Sequence, residues 1–467
     1  MPASLLRSWY GRIRKDHQLS LIVICGLLFG LTALIYVGLG ILPTGDEPHY
    51  LIISQTLLKY HSLNVMLDYT NRDYFQFYPT PIDPHVTYNE HHQLLPLHSI
   101  GAPLLWLLPF ALLGRLGAVW FIALLTALVI LTLYRVLLLM GISERTAFRV
   151  SLAYAVASPF YIYAHLSFVE PIGALACVYV VRVLLQEEHT WGELTICSFL
   201  LGILPWVHIR LALLEIPLFF FLLHRIYRLY GWRRWQYYVA YLLPVTLLFM
   251  ALEIYSYQVW GTLNPAANQI NGNSQPFEVN PFMGMVGMLF DQEHGILLNF
   301  PIFLFLFPGI LLALKKRFMG YHLLVLVVSV PYIVACTSFR HWSGGWCPPG
   351  RFILVLLPLY AFYLAYALEH IGARWPRILW NVACWYGFIY CILSLLPPHN
   401  GFNAEDGSNN ALAFLQVANY RLTDLLPSVY LAGKVWLLAL WICGYLVLTL
   451  FLVRAREQKT ETRSQEL

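Results

Sequence analysis

Apolar runs of bilayer length, separated by short basic clusters, constrain this chain more than any other feature. Residues 19–42, LSLIVICGLLFGLTALIYVGLGIL, form the first run. A hydrocarbon core of about 30 Å takes about 20 apolar residues in helical form, since no water is present there to satisfy backbone groups. This run is longer than the apolar core of a secretory signal and lacks a small-residue cleavage site, so it reads as a retained span. Of 467 residues, 59% are hydrophobic and 11% charged, whereas a soluble domain is about a quarter charged. The fold class that follows is an all-α polytopic membrane protein. The net charge of +5 does not imply nucleic acid, because the basic residues sit in small clusters between apolar runs.

About twelve spans fit, within a range of eleven to thirteen. They lie near 19–42, 116–140, 147–164, 168–186, 192–208, 211–226, 237–257, 295–314, 321–338, 351–369, 378–396 and 431–453. Under this map RSWYGRIRK, ERTAFR, HRIYRLYGWRR, KKR, ARWPR and RAREQK fall on one side, which positive-inside bias makes cytoplasmic. The division is then a cytoplasmic segment 1–18, one membrane domain 19–453 with a first outer loop 43–115, and a disordered cytoplasmic tail 454–467. Residues 98–114, HSIGAPLLWLLPFALLG, would reverse the later basic loops if they crossed the bilayer. They are expected as juxtamembrane helix at the outer interface, where Pro103 and Pro109 are easier to accommodate. Of the eight cysteines only Cys347 lies in a loop, and no metal-binding Cys spacing occurs.

Immediately after the first run comes LPTGDEPHYL, residues 42–51. Carboxylates near a bilayer are costly and mark function more often than elsewhere. Asp46 has two readings. It can cap the helix that Pro48 begins, or it can serve as a general base facing a cavity, with Glu47 tuning it. More ionisable residues fall on the same expected face: His85, His91, His92, His98, His165, Glu170, His208, Arg210, Asp291, Glu293, His294, Arg340, His341 and Arg351. Together they point to a polar cavity opening outward. Acids, cations and a bilayer are what a lipid-linked phosphate donor would use. Its isoprenoid tail needs a groove between spans, and its phosphate needs Arg, His or a divalent ion.

The pair Asp46-Glu47 after the first span, with the stretch GDEPHYLIISQTLL, resembles the start of GT-C glycosyltransferases, in particular bacterial relatives of protein O-mannosyltransferases and aminoarabinose transferases. SFVEPIGAL and WSGGWCPPGRFILVLLPL resemble their second acidic motif and a late Gly/Trp loop with its arginine. The resemblance implies a GT-C-type bundle and sugar transfer, with inversion, from a polyprenyl-phosphate donor to a lipid, glycan or protein acceptor at the outer face of an inner membrane. It implies Asp46, Glu47 and Glu170 as catalytic acids and bases. Arg210, Arg351, His208 and His341 would hold donor phosphate, and His49, His98, His165, Trp342 and Trp346 would contact substrate. A Mg²⁺ or Mn²⁺ ion is permitted at Asp46 and Glu170 but not demanded. Two departures leave the acceptor open: the 258–294 loop is too short for a folded luminal domain, and no large domain follows the last span. The alternative is a transporter or flippase for a lipid-linked or anionic substrate, although carriers usually have two related halves and charges near the midplane.

Overall fold

The computed structural model describes residues 16–272, 280–396, 401–412 and 422–455. The basic segment up to residue 15 and the tail beyond 455 lie outside the described residues. The helices, in chain order, are α1 His17–Gly38, α2 Glu47–Tyr60, α3 Met66–Asn71, α4 Gly101–Leu105, α5 Leu107–Leu113, α6 Arg115–Leu139, α7 Glu144–Val156, α8 Pro159–Tyr163, α9 Glu170–Leu185, α10 Trp191–Val207, α11 Ala212–Tyr230 and α12 Trp235–Trp260. They continue with α13 Ala267–Gly272, α14 Pro281–Phe290, α15 Ile296–Asn299, α16 Leu306–Ala313, α17 Met319–Thr337, α18 Leu357–His370, α19 Arg374–Leu395 and α20 Val435–Arg454. Two short strands, β1 Val86–Tyr88 and β2 Leu94–Pro96, pair antiparallel in the first loop.

The all-α polytopic class holds, but fewer spans are continuous than the sequence implies. Among the described residues six helical stretches are long and apolar enough to cross a membrane: His17–Gly38, Arg115–Leu139, Trp235–Trp260, Lys316–Thr337, Arg374–Leu395 and Ala432–Arg454. The run 147–164 is broken because Pro159 disfavours helix at Ser158, so α7 stops and α8 restarts. The run 295–314 divides at Pro301 into α15, a 3-10 turn and α16. The run 351–369 begins as a 3-10 turn, Phe352–Val355, before Pro358 opens α18. Irregular backbone at these depths survives because it is enclosed by protein rather than lipid.

The 98–114 stretch forms α4 and α5, which meet at Trp106, rather than one spanning helix. The β1–β2 hairpin, by contrast, was not foreseen. Asn89 makes its turn, accepting from the backbone N–H of His91 and of Gln93 through its side chain.

Helix α9 is the hub. It is apolar on nearly all sides, as a helix enclosed by others must be, and it packs on α6, α10, α11 and α18. Close approach elsewhere depends on small residues: a Cβ on Gly309 of α16 would lie 1.9 Å from the Tyr363 carbonyl of α18. The hub matters for the site because Glu170 is its first residue.

Candidate active site

The first motif folds as a tight turn into α2. Gly45 has φ +63°, and a Cβ there would meet the Trp346 carbonyl at 2.4 Å, so only glycine lets the turn lie against the 338–351 loop. Asp46 occupies the N-cap position, but its side chain caps nothing. The capping alternative is thereby overturned.

Its carboxylate instead pairs with Arg351. Arg351 is only 5% exposed and uses all three nitrogens. Nη2 donates to Asp46, Nε to Glu170 at 3.0 Å, and Nη1 to the Gly344 carbonyl at 2.7 Å. The same Glu170 oxygen also accepts from Arg210. The Phe168 ring lies 4.4 Å under the Arg351 guanidinium, and the Phe352 ring 4.4 Å under that of Arg210. The product is an alternating chain, Asp46–Arg351–Glu170–Arg210, drawn from four distant parts of the sequence. Glu170 is fully buried, whereas the Asp46 side chain keeps 25% exposure. Burial works to raise the Asp46 carboxyl, but Arg351 holds it well below the ordinary carboxylate range.

Glu47 has a different job. One of its oxygens accepts from the Ser167 N–H at 2.7 Å and the other from the Thr44 N–H at 3.1 Å. It ties the first motif to the turn before α9 and is fully buried. His208 likewise accepts from the Arg210 N–H, at 3.3 Å, through Nδ1 and shapes the turn that presents Arg210.

The histidines divide into two groups. His49, His85 and His98 gather around Asp46. His49 stacks on His85 with ring centroids 3.6 Å apart, and His85 Nδ1 lies 3.1 Å from His98 Nε2. Burial lowers His49 and His85, and takes His98 down to about 4, so the three rings are neutral near pH 7. His165 and His341 do not join them. His165 is buried edge-on against Phe29 and Tyr161, and His341 bonds Glu405 at 2.7 Å on a half-exposed rim. Trp342 is also buried, stacked on Tyr430, while Trp346 remains exposed beside Gly45. The acids of Asp291 and Glu293 serve the backbone: Asp291 accepts from Val429, and Glu293 from Glu405 and Gly407.

For a cation, Asp46 and Glu170 meet only through Arg351. Among the described residues, the side chains placed to hold an ion are Asp46, His85 and His98, whose ligand atoms lie within 4.8 Å of one another. His85 lay in the same histidine-rich run as His91 and His92, and nothing in the spacing ranked it above them. Phe168 and Ser167 had no sequence signal beyond their nearness to Glu170.

The fold that carries these residues is shared with solved structures. The chain is similar to crystal structures of ArnT from Cupriavidus metallidurans. The one bound to undecaprenyl phosphate is 19% identical with a TM-score of 0.53, over 91% of this chain and 76% of that one. The apo state is 18% identical, with the same TM-score of 0.53. An apo oligosaccharyltransferase from Archaeoglobus fulgidus is 14% identical over 84% of this chain and 59% of that one, with a TM-score of 0.46. No family model and no curated protein sequence matches the chain.

Proposed function

We propose that the protein is an integral-membrane glycosyltransferase. It moves a sugar from a polyprenyl-phosphate donor to an acceptor, with inversion, at the face carrying residues 43–115. The positive-inside bias of the basic loops supports cytoplasmic termini and an outer position for this face at an inner membrane. The observation that carries the reading is the Asp46–Arg351–Glu170–Arg210 chain in a fold shared with ArnT, a protein crystallised with undecaprenyl phosphate. It joins a partly exposed carboxylate to two guanidiniums within one network.

Glu170 holds both guanidiniums in place. A donor phosphate meets Arg210 and Arg351, and its negative charge offsets the Arg351 guanidinium, so the carboxylate of Asp46 regains basicity. The acceptor oxygen then attacks the anomeric carbon opposite the phosphate. Its proton passes to Asp46, and the sugar–phosphate bond breaks with its electron pair kept by the phosphate. The isoprenoid tail fits an apolar groove of about 540 Å³ between α11 and α17, lined by Leu213, Ile216, Phe220, Val327 and Pro331. This groove starts three residues beyond Arg210.

The test uses purified protein, a panel of polyprenyl-phosphate sugars with candidate lipid, glycan and protein acceptors, and a readout of free polyprenyl phosphate. Asp46→Asn is expected to slow release by about 10²–10⁴-fold. Parental turnover in that variant, or no turnover of any donor, defeats the reading.

A further inference from the structure

The end of the bundle opposite the candidate active site carries a cavity that the transfer chemistry does not use. Helix α18 begins close after Arg351 and rises about 21 Å over its length, so its last turn stands at the far end of the bundle. Glu369, in that turn, accepts from the Ser143 N–H at 3.0 Å and holds the start of α7 beside α18. Helix α19 closes the third side, where Arg149 of α7 donates to the Asn381 side-chain oxygen at 3.3 Å. The space between the three helices is about 510 Å³, and Arg145, Arg149 and Arg377 line it.

Basic residues at this end can serve membrane topology alone. That role needs only their place in the sequence, and it needs no cavity. Elsewhere at the same end the protein uses its arginines internally: Arg182 pairs with Glu193 at 2.7 Å, and Arg225 donates to the Gln186 carbonyl at 2.8 Å. The three cavity arginines differ. Among the described residues none of them is in an ion pair, and the one acid lining the cavity, Glu369, is engaged with the Ser143 N–H. Ser143 also stands at the N-cap of α7 without capping it. Its hydroxyl donates to the Thr146 hydroxyl at 3.0 Å instead, so the first-turn N–H groups stay uncapped beside the arginines.

We propose that this cavity binds the phosphate head group of an anionic phospholipid, in the leaflet opposite the candidate active site. Guanidiniums match phosphate oxygens two by two, and an uncapped helix start adds N–H donors. Among the described residues no aromatic ring lines the cavity, so a nucleotide base would find nothing to stack on. What lies next to the cavity favours a lipid. Ile378, Val382, Trp385 and Ile389 are each more than half exposed and form one apolar stripe down α19, starting beside Arg377. Acyl chains lie along such a stripe on a membrane-spanning helix. Arg377 and Asn381 fall in the first two turns of α19, about 10 Å of rise, the depth at which head groups cover the hydrocarbon core. Basic pockets between spans on the cytoplasmic side suit lipids of this charge. The donor phosphate is a separate matter, since Arg351 stands at the other end of α18. A head group held by all three arginines ties α7 to α19.

The experiment delipidates the full-length protein in detergent and adds back phosphatidylglycerol or phosphatidylcholine. Retained lipid is counted by native mass spectrometry, and thermal unfolding is followed in parallel. The site predicts one phosphatidylglycerol kept per chain where phosphatidylcholine is lost, with a higher melting temperature in the anionic lipid. Arg145→Gln/Arg377→Gln is expected to weaken that retention at least about tenfold, since each cation near an anionic lipid is worth roughly fivefold. Arg233→Gln/Arg234→Gln removes the same charge from the exposed loop between α11 and α12 at the same end, and leaves retention unchanged. Should the first double variant misfold, the lipid preference of the parent protein still reports, as does Asn381→Asp, which sets a carboxylate against Arg149 and is expected to weaken retention as well. Equal retention of the two lipids by the parent, or equal losses in the two double variants, overturns the proposal. So does a parental rise in melting temperature reproduced by inorganic phosphate or glycerol 3-phosphate without lipid, which would make the occupant a soluble anion. None of these readouts involves sugar transfer, so they stand or fall apart from the transferase reading.

Discussion

Arg351→Lys is the most informative single change, because it keeps the charge and removes the geometry. The guanidinium reaches Asp46, Glu170 and the Gly344 carbonyl from three nitrogens, with 5% of the side chain exposed. A lysine ammonium is one point on a flexible stem and cannot straddle the two carboxylates. Glu170 keeps Arg210, so the loss falls on Asp46. One buried bond to a charged partner is worth about 1.5–3 kcal/mol, less than the ~3–5 kcal/mol for removing a whole partner as in Arg351→Ala. If the positioning of Asp46 matters in the transition state, that loss lowers turnover about 10- to 100-fold at 1.4 kcal/mol per decade. The assays are release of free polyprenyl phosphate and thermal unfolding in detergent. Parental rate and parental melting temperature in Arg351→Lys would show that charge alone suffices, and the bridging argument would be wrong.

Glu47→Gln replaces a charged acceptor of two backbone N–H groups, those of Ser167 and Thr44, and is expected to cost about 1.5–3 kcal/mol; an unchanged melting temperature would deny Glu47 its tethering role. Gly309→Ala drives a methyl into the Tyr363 carbonyl and is expected to cost about 1–3 kcal/mol or more, while Gly320→Ala, with nothing within 4 Å, leaves stability unchanged. Equal yields of monodisperse protein from the two glycine variants would contradict the backbone contact. Asp68 is fully buried on α3, and burial, with Asp73 adding, pushes its carboxyl from 3.8 up to about 7. The folded state then holds this proton more tightly than the unfolded chain, so the stability it confers is complete below about pH 4 and is lost as pH rises through 7. Asp68→Asn should flatten that slope between about pH 4 and 7, and an identical slope in the variant would show that another group causes it.

The sequence by itself determined the solvent this chain folds in and the chemistry it carries. Apolar runs without enough charge to solvate them leave a helical membrane bundle as the outcome, and the stretch GDEPH displays its acids whatever the tertiary fold. Hydrophobicity is nearly local, so it is legible residue by residue. Whether an apolar run stays one helix is less so: Ser158-Pro159, Pro301 and Pro358 break spans that hydropathy draws as continuous. Only the tertiary structure decided which ionisable groups meet. Arg351 joins Asp46 from 305 residues away and Glu170 from 181, and no local spacing encodes such a meeting. The same holds for His85. Three residues of hairpin pairing set it against His98 while leaving His91 and His92 in solvent, and His165, equally suggestive in the sequence, was turned inward onto Phe29. Side-chain direction follows from register and packing, and those are fixed only when the whole chain closes on itself.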